Sequence, residues 1–175
     1  PDMQQDLLPQ SIRHIQECIR EIRHLSHALS APTLGTNSLV DSIKALIETV
    51  ETSGKFAVNF HYETFHLPLQ KDQTLALYRI LQEQLNNIIK HSGASVVDIR
   101  LVQNHKLTQL SIADNGKGFN PDDKRNGIGF NNMLSRAKVF GGEMKINSSP
   151  GKGCTIQVSI PLLKPENAVV ENRQS

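Results

Sequence analysis

Tryptophan is absent from this chain and aromatic residues make up only 5% of it. That removes the aromatic platform on which single-stranded nucleic acid is stacked and read. An excess of charge of one sign is also lacking: 19 Lys and Arg stand against 17 Asp and Glu, a net charge of +2. No basic phosphate-binding face follows from so even a balance, and nucleic acid is not an expected partner. No uninterrupted apolar run approaches the roughly 18–20 residues a spanning helix needs, and the start has no charged-then-apolar signal pattern. The expectation is a soluble, cytoplasmic piece with no membrane contact of its own, whatever anchors its parent. Cysteine is scarce too, since Cys18 and Cys154 form neither a CxxC pair nor a disulfide framework, and no His-rich spacing suggests zinc. A reducing compartment is the default for such usage.

At 175 residues the chain is long enough for one domain with a proper core plus a helical appendage. It opens on Pro1-Asp2-Met3, which suggests a fragment of something longer. From Gln10 to Ser30, Ile12, Ile15, Ile19, Ile22, Leu25 and Leu29 recur at spacings of three and four among polar residues, the pattern of an amphipathic helix. His14, His24 and His27 on it read as surface or packing residues. Residues 31–37 break the pattern, and Asn37 or Ser38 can cap a second helix with Leu39, Ile43, Leu46, Ile47 and Val50 on its apolar face. Phe56, Val58 and Phe60 alternate as in a half-buried strand. Asp72 is the expected cap of a long helix from Gln73 to His91. Two strands follow, Val96 to Val102 and Leu107 to Ala113, then a polar glycine-rich loop from Gly116 to Gly129 read as mobile and unpacked. Asn131 to Phe140 reads as a short helix stopped by Gly141-Gly142. A hairpin of Glu143–Asn147 and Cys154–Pro161 closes the order, and the tail after Leu163 is polar and expected to be disordered. There is no internal repeat.

Two stretches carry chemistry. In Glu83-Gln84-Leu85-Asn86-Asn87-Ile88-Ile89-Lys90-His91 a helix sets Glu83 and Asn87 one turn apart, about 6 Å along the axis, on one face. Magnesium prefers oxygen ligands and keeps several waters, so the Asn87 amide oxygen together with phosphate oxygens suffices to hold it. Glu83 would orient or activate a nucleophile, Lys90 would neutralise phosphate charge, and His91 follows at the helix end. In Asp114-Asn115-Gly116-Lys117-Gly118-Phe119 a carboxylate ends an alternating strand, where it is costly unless something donates to it. The exocyclic amine of adenine is such a donor, and Gly116 and Gly118 permit the close approach of a ligand. Gly127-Ile128-Gly129 precedes a helix whose free N–H groups can face phosphates, or else forms a hinge. Lys124 and Arg125 read as solvated loop charges, with contact to a terminal phosphate as the alternative.

Taken in order, these segments resemble the ATP-binding catalytic domain of sensor histidine kinases, in the superfamily shared with gyrase, Hsp90 and mismatch-repair ATPases. Residues 78–91 look like its N box, Asp114 to Phe119 like its G1 box, Asn126-Gly127-Ile128-Gly129-Phe130-Asn131-Asn132-Met133 like its G2 box, and Gly151-Lys152-Gly153-Cys154-Thr155-Ile156 like its last glycine motif. The resemblance spans Leu67 to Leu162. It implies an α/β (α+β) two-layer sandwich of mixed sheet and helices, the Bergerat-type ATP-binding fold, with an N-terminal dimerisation helix. It further implies Asn87 on magnesium, Asp114 on the adenine amine, Glu83 activating the acceptor, and Lys90 on phosphate. His91, Gly116, Gly118, Gly127, Ile128, Gly129, Phe130 and Thr155 would complete the contacts to ATP. The Gln82-Glu83 pair and the short lid resemble the subfamily related to nitrate and membrane-fluidity sensors.

Cys154 departs from that pattern, which usually has Thr there, leaving Thr155 beside it. No Glu-Leu-His-Asp-like acceptor sequence occurs, and Arg20 to Pro32 looks like the second dimerisation helix and its exit. The implied organisation is the end of a dimerisation helix in 1–34, the catalytic domain in 35–163 and a tail in 164–175. Phosphoryl would pass from Mg-ATP to a histidine on an earlier helix of a homodimer and on to a response regulator. The competing readings are a serine kinase of the anti-sigma type and an ATP-sensing interaction module without transfer.

Overall fold

The computed structural model describes residues 38–52, 54–63, 68–121 and 128–162. The expected Gln10–Ser30 helix with its histidines, the linker after it, Lys124, Arg125, Gly127 and the 164–175 tail lie outside the described residues.

Helix α1, Leu39–Glu51, starts where its sequence can satisfy the first free amides. Ser38 rather than Asn37 is the cap: its Oγ accepts from the Asp41 N–H at 3.2 Å while the Asp41 carboxylate accepts from the Ser38 N–H at 3.3 Å. Leu39, Ile43, Ile47 and Val50 are then buried along one face. Strand β1, Ala57–Tyr62, follows.

Helix α2, Lys71–Asn87, departs from expectation at both ends. Gln70 takes the cap position, its backbone N–H donating to Gln73 Oε1 at 3.2 Å, and Asp72 sits inside the first turn where its charge suits the helix dipole. Gln73 is buried because its Nε2 also donates to the Pro161 carbonyl at 2.9 Å. At the far end the chain does not continue as α-helix to His91. Ile88–Ser92 forms a π turn that stops at Gly93, whose φ of +65° suits glycine. The Ser92 hydroxyl braces that turn, donating to the Ile88 carbonyl and accepting from the Ala94 N–H, each at 3.0 Å.

Strands β2, Val96–Gln103, β3, Leu107–Asp114, β4, Glu143–Ser148, and β5, Cys154–Pro161, join β1 in one sheet of order β1-β2-β3-β5-β4. β1 and β2 run parallel and the other pairs antiparallel. Register aligns the alternating apolar residues into rows across the sheet: Ile99, Ile112, Ile156 and Ile146 form one, and Leu101, Leu110, Val158 and Met144 the next. Helix α3, Ile128–Lys138, begins three residues before the expected Asn131, so Gly129 and Phe130 belong to its first turn and not to a loop. α2 touches α1, α3 and β3, and α3 touches β4 and β5. The helices thus form one layer and the mixed sheet the other, an α/β sandwich whose buried core includes Ile43, Leu77, Leu81, Ile112, Met133 and Ile156.

The described half of the glycine segment is packed, contrary to expectation. Asn115 Oδ1 accepts from the N–H groups of Ser95 and Val96 at 2.9 and 3.0 Å. Lys117 N–H donates to the Ser92 carbonyl at 2.9 Å, and Phe119 N–H to Ser148 Oγ at 3.0 Å. Polar composition hid this because the partners come from three other elements. Gly153 and Gly151 in the β4–β5 turn have φ of +71° and +78°, but a Cβ on Gly153 would collide with the Asp114 carbonyl whereas one on Gly151 would meet nothing. Gly151→Ala should therefore cost about 1–2 kcal/mol for its left-handed backbone alone. Gly153→Ala should cost clearly more, as urea denaturation of the two variants would record.

Candidate nucleotide-binding site

A cavity of about 270 Å³ opens between α2 with its π turn, the glycine segment after β3, the start of α3 and the start of β5. Gln84, Asn87, Ile88 and His91 line it at the spacing of a single helix face, and Ser92 continues that wall. Asp114 and Cys154 come from the sheet, and Lys117, Gly118 and Phe119 from the glycine segment.

Asp114 is there because the core-facing row at this end of the sheet runs Ser148, Cys154, Asp114 and Val97. Strand alternation that elsewhere supplies isoleucine supplies a carboxylate here, only 8% exposed. Burial pushes its pKa above the usual carboxylate range, and the Gly116 N–H, donating to Oδ1 at 2.9 Å, offsets this in part. Its presence in the cavity wall leaves it facing the space a ligand with N–H groups would fill. Glycine is required at 116, where a Cβ would come within 2.5 Å of the Ser92 carbonyl and 2.8 Å of Asp114 Oδ1. Gly118, at φ +60°, likewise lies against the Ser149 carbonyl.

Cys154 and Thr155 exchange places relative to expectation. Neighbouring strand residues face opposite sides, so Cys154 lines the cavity while Thr155, in register with Ala113 and Asn147, belongs to the half-exposed face away from it. The Cys154 thiol is pushed up to about 11, first by burial and then by the Asp114 charge, with a Ser148 hydrogen bond acting the other way.

Glu83, Asn87 and Gly129 do come together. A Cβ on Gly129 would sit 2.5 Å from Glu83 Oε1 and 3.6 Å from Asn87 Nδ2, so glycine is what lets the first turn of α3 rest on this part of α2. Asn87 Nδ2 is buried without a hydrogen-bond partner among the described residues. Ile128 is the first residue of α3, and Phe130 lines the cavity with its ring 5.4 Å from that of Phe119. Lys90 is not part of the wall and is exposed. A π turn takes more residues per revolution than an α turn, which carries Lys90 further round from Asn87 than helical spacing implied. His91, though exposed, remains at the cavity. Sequence reasoning missed Gln84, Ile88 and Ser92 as wall residues, although Gln84 follows from Asn87 by helical spacing and Ile88 from Gln84. It also passed over Phe119, which ends the glycine motif itself.

A buried carboxylate and a helix amide thus face one cavity on an α/β sandwich, with glycines where backbone must approach. Residues 72–164 match the family described as histidine kinase-, DNA gyrase B-, and HSP90-like ATPase, and the chain belongs to that family. Curated relatives include the sensor protein VraS of Staphylococcus epidermidis, 34% identical over 88% of this chain and 44% of that protein. The sensor histidine kinase LiaS of Bacillus subtilis is 32% identical over 91% of this chain and 44% of its own length. The histidine-protein kinase/phosphatase DegS of Brevibacillus brevis is 29% identical over 87% and 40%. The chain thus spans less than half the length of these relatives. A histidine kinase domain from the Erythrobacter litoralis EL346 blue-light activated kinase shares the fold at TM-score 0.56 and 24% identity, covering 67% of this chain and 57% of that one. Among the described residues no helix is long and apolar enough to cross a membrane.

Asp114→Asn should lower ATP affinity by about 10- to 100-fold, the range for a hydrogen bond to a charged group, as calorimetric titration would measure. Because the folded pKa of Asp114 lies above its unfolded value, the cost of its charge is absent below the unfolded pKa, grows between the two and is complete above the folded pKa. The unliganded variant should therefore equal or exceed the wild type in melting temperature at pH 7, and that advantage should vanish as pH falls below the ordinary carboxylate pKa.

Proposed function

We propose that this chain is the catalytic ATP-binding part of a two-component sensor histidine kinase. It would transfer the γ-phosphoryl of ATP to a histidine on a dimerisation helix, for relay to a response regulator, within a homodimer. The catalytic domain would occupy 35–163, after the end of a dimerisation helix in 1–34 and before a tail in 164–175. The cytoplasm is the compartment this reading calls for. The observation that carries the reading is the grouping of Glu83, Asn87 and Gly129 at one side of the cavity whose other wall holds the buried Asp114.

In this mechanism Asp114 accepts from the adenine amine and fixes the base, while α2 and the first turn of α3 border the phosphates. An imidazole nitrogen of the acceptor attacks the γ-phosphorus, the bond from that phosphorus to the β–γ bridging oxygen breaks, and ADP departs. Glu83 takes the proton that the other imidazole nitrogen gives up as the new P–N bond forms. Catalysis is chiefly positioning and neutralisation of charge. Residues present fit a magnesium ion brought in on the nucleotide. Asn87 contributes an amide at the cavity whose Nδ2 is already buried, leaving Oδ1 as the atom with lone pairs, and among the described residues no cluster of three His, Cys, Asp or Glu could hold a metal alone. Asn87 would hold it, and when bound it supplies neutralisation of phosphate charge.

Asn87→Ala should reduce phosphorylation of a separately supplied acceptor helix by about a hundredfold or more without loss of fold, measured by label transfer and circular dichroism. Transfer at the wild-type rate would remove Asn87 from the metal and with it this account of the phosphate end.

A further inference from the structure

Gln84 is 2% exposed, and its Oε1 is buried with no hydrogen-bond partner among the described residues. It stands in α2 between Leu81 and Ile88, both buried, where a leucine would fit the helix face without any polar group to satisfy. A buried amide left unpaired lowers stability. Gln84 also lines the cavity that holds Asp114. Their deficit has one sign. Among the described residues Asp114 offers a carboxylate whose one donor is the Gly116 amide, and Gln84 a carbonyl oxygen with none. At Asp114 and Gln84 the wall lacks N–H groups, whereas the unpaired Asn87 Nδ2, one turn further along the helix, lacks an acceptor.

We infer that, in a cavity that takes ATP, Gln84 is a specificity-determining residue whose side-chain amide hydrogen-bonds the amino edge of the adenine base, directly or through one trapped water. The 6-amino group carries two N–H donors, enough for Asp114 and Gln84 together. A 6-oxo purine brings an acceptor to the same place, where it meets a carboxylate already short of donors. Ile88, one turn beyond Gln84 on the same wall, gives the ring an apolar surface and leaves discrimination to the two polar groups.

The test compares affinity for ATP with affinity for purine riboside triphosphate, which lacks only the 6-amino group, in the wild type, Gln84→Leu and Gln84→Met. The preference for ATP should shrink about 5- to 10-fold in both variants, with the weaker ligand bound as before. Melting temperatures without nucleotide should not fall, since an unpaired amide has been removed. An unchanged preference, or an equal loss for both ligands, would overturn the role of Gln84 while ATP binding stands. Failure of the wild type to bind ATP at all would sink the nucleotide reading and this role together. Should the leucine variant not fold, the methionine variant, with its unbranched and adaptable chain, decides the matter.

Discussion

A carboxylate sits where the core pattern of the sheet calls for an apolar side chain, and much of the molecule is arranged around that one substitution. Asp114 ends β3 in the row of Ser148, Cys154 and Val97, so it is desolvated by the same layer of helices that buries Ile112 two residues earlier. One N–H, from Gly116, is all that the described residues donate to its side chain. The glycines around it follow from that constraint. Gly116 keeps Ser92 and the carboxylate in close range, and Gly153 lets the β4–β5 turn pass against the Asp114 carbonyl. A site that holds a charge in a low-dielectric wall gives up stability and gains a strong, directional demand for a donor.

The opposite wall follows different physics. α2 brings Gln84, Asn87, Ile88 and His91 to the cavity by helical spacing alone, and the π turn that ends it redirects the residues after Asn87. Gly129 then allows the start of α3 to lie against Glu83, so the glycine that resembled a hinge packs on a helix. Three walls of different secondary structure converge because backbone groups of Ser92, Lys117 and Phe119 bond one element to the next.

Most of the architecture was legible in the residues. Apolar alternation in Val96–Gln103, Leu107–Asp114 and Cys154–Pro161 gave the strands nearly to the residue, because in a sheet covered on one face the period of two is enforced by burial. Ser38 was one of two legible caps. What escaped were features decided by partners distant in sequence. Gln70 displaced Asp72 as the cap of α2 while Gln73 reached Pro161. The π turn has no sequence period of its own, and it took Lys90 away from the cavity. The resemblance put Thr155 among the contacts to ATP, yet its register sets it on the outer face and gives the cavity Cys154. Gln84 was read only as a helix residue because an unpaired buried atom can be recognised only once its neighbours are known.

The account turns on whether this chain passes a phosphoryl group from ATP to a histidine. The most direct measurement incubates the chain with γ-labelled ATP, magnesium and a separately made helix pair that contains the acceptor, then exposes the product to acid. Label on the added helix that acid removes is the predicted result, since a phosphorus–nitrogen bond to imidazole hydrolyses readily in acid. Acid-stable label, or tight ATP binding with no transfer to the helix, would contradict it and leave a serine-directed kinase or a nucleotide-sensing module in its place.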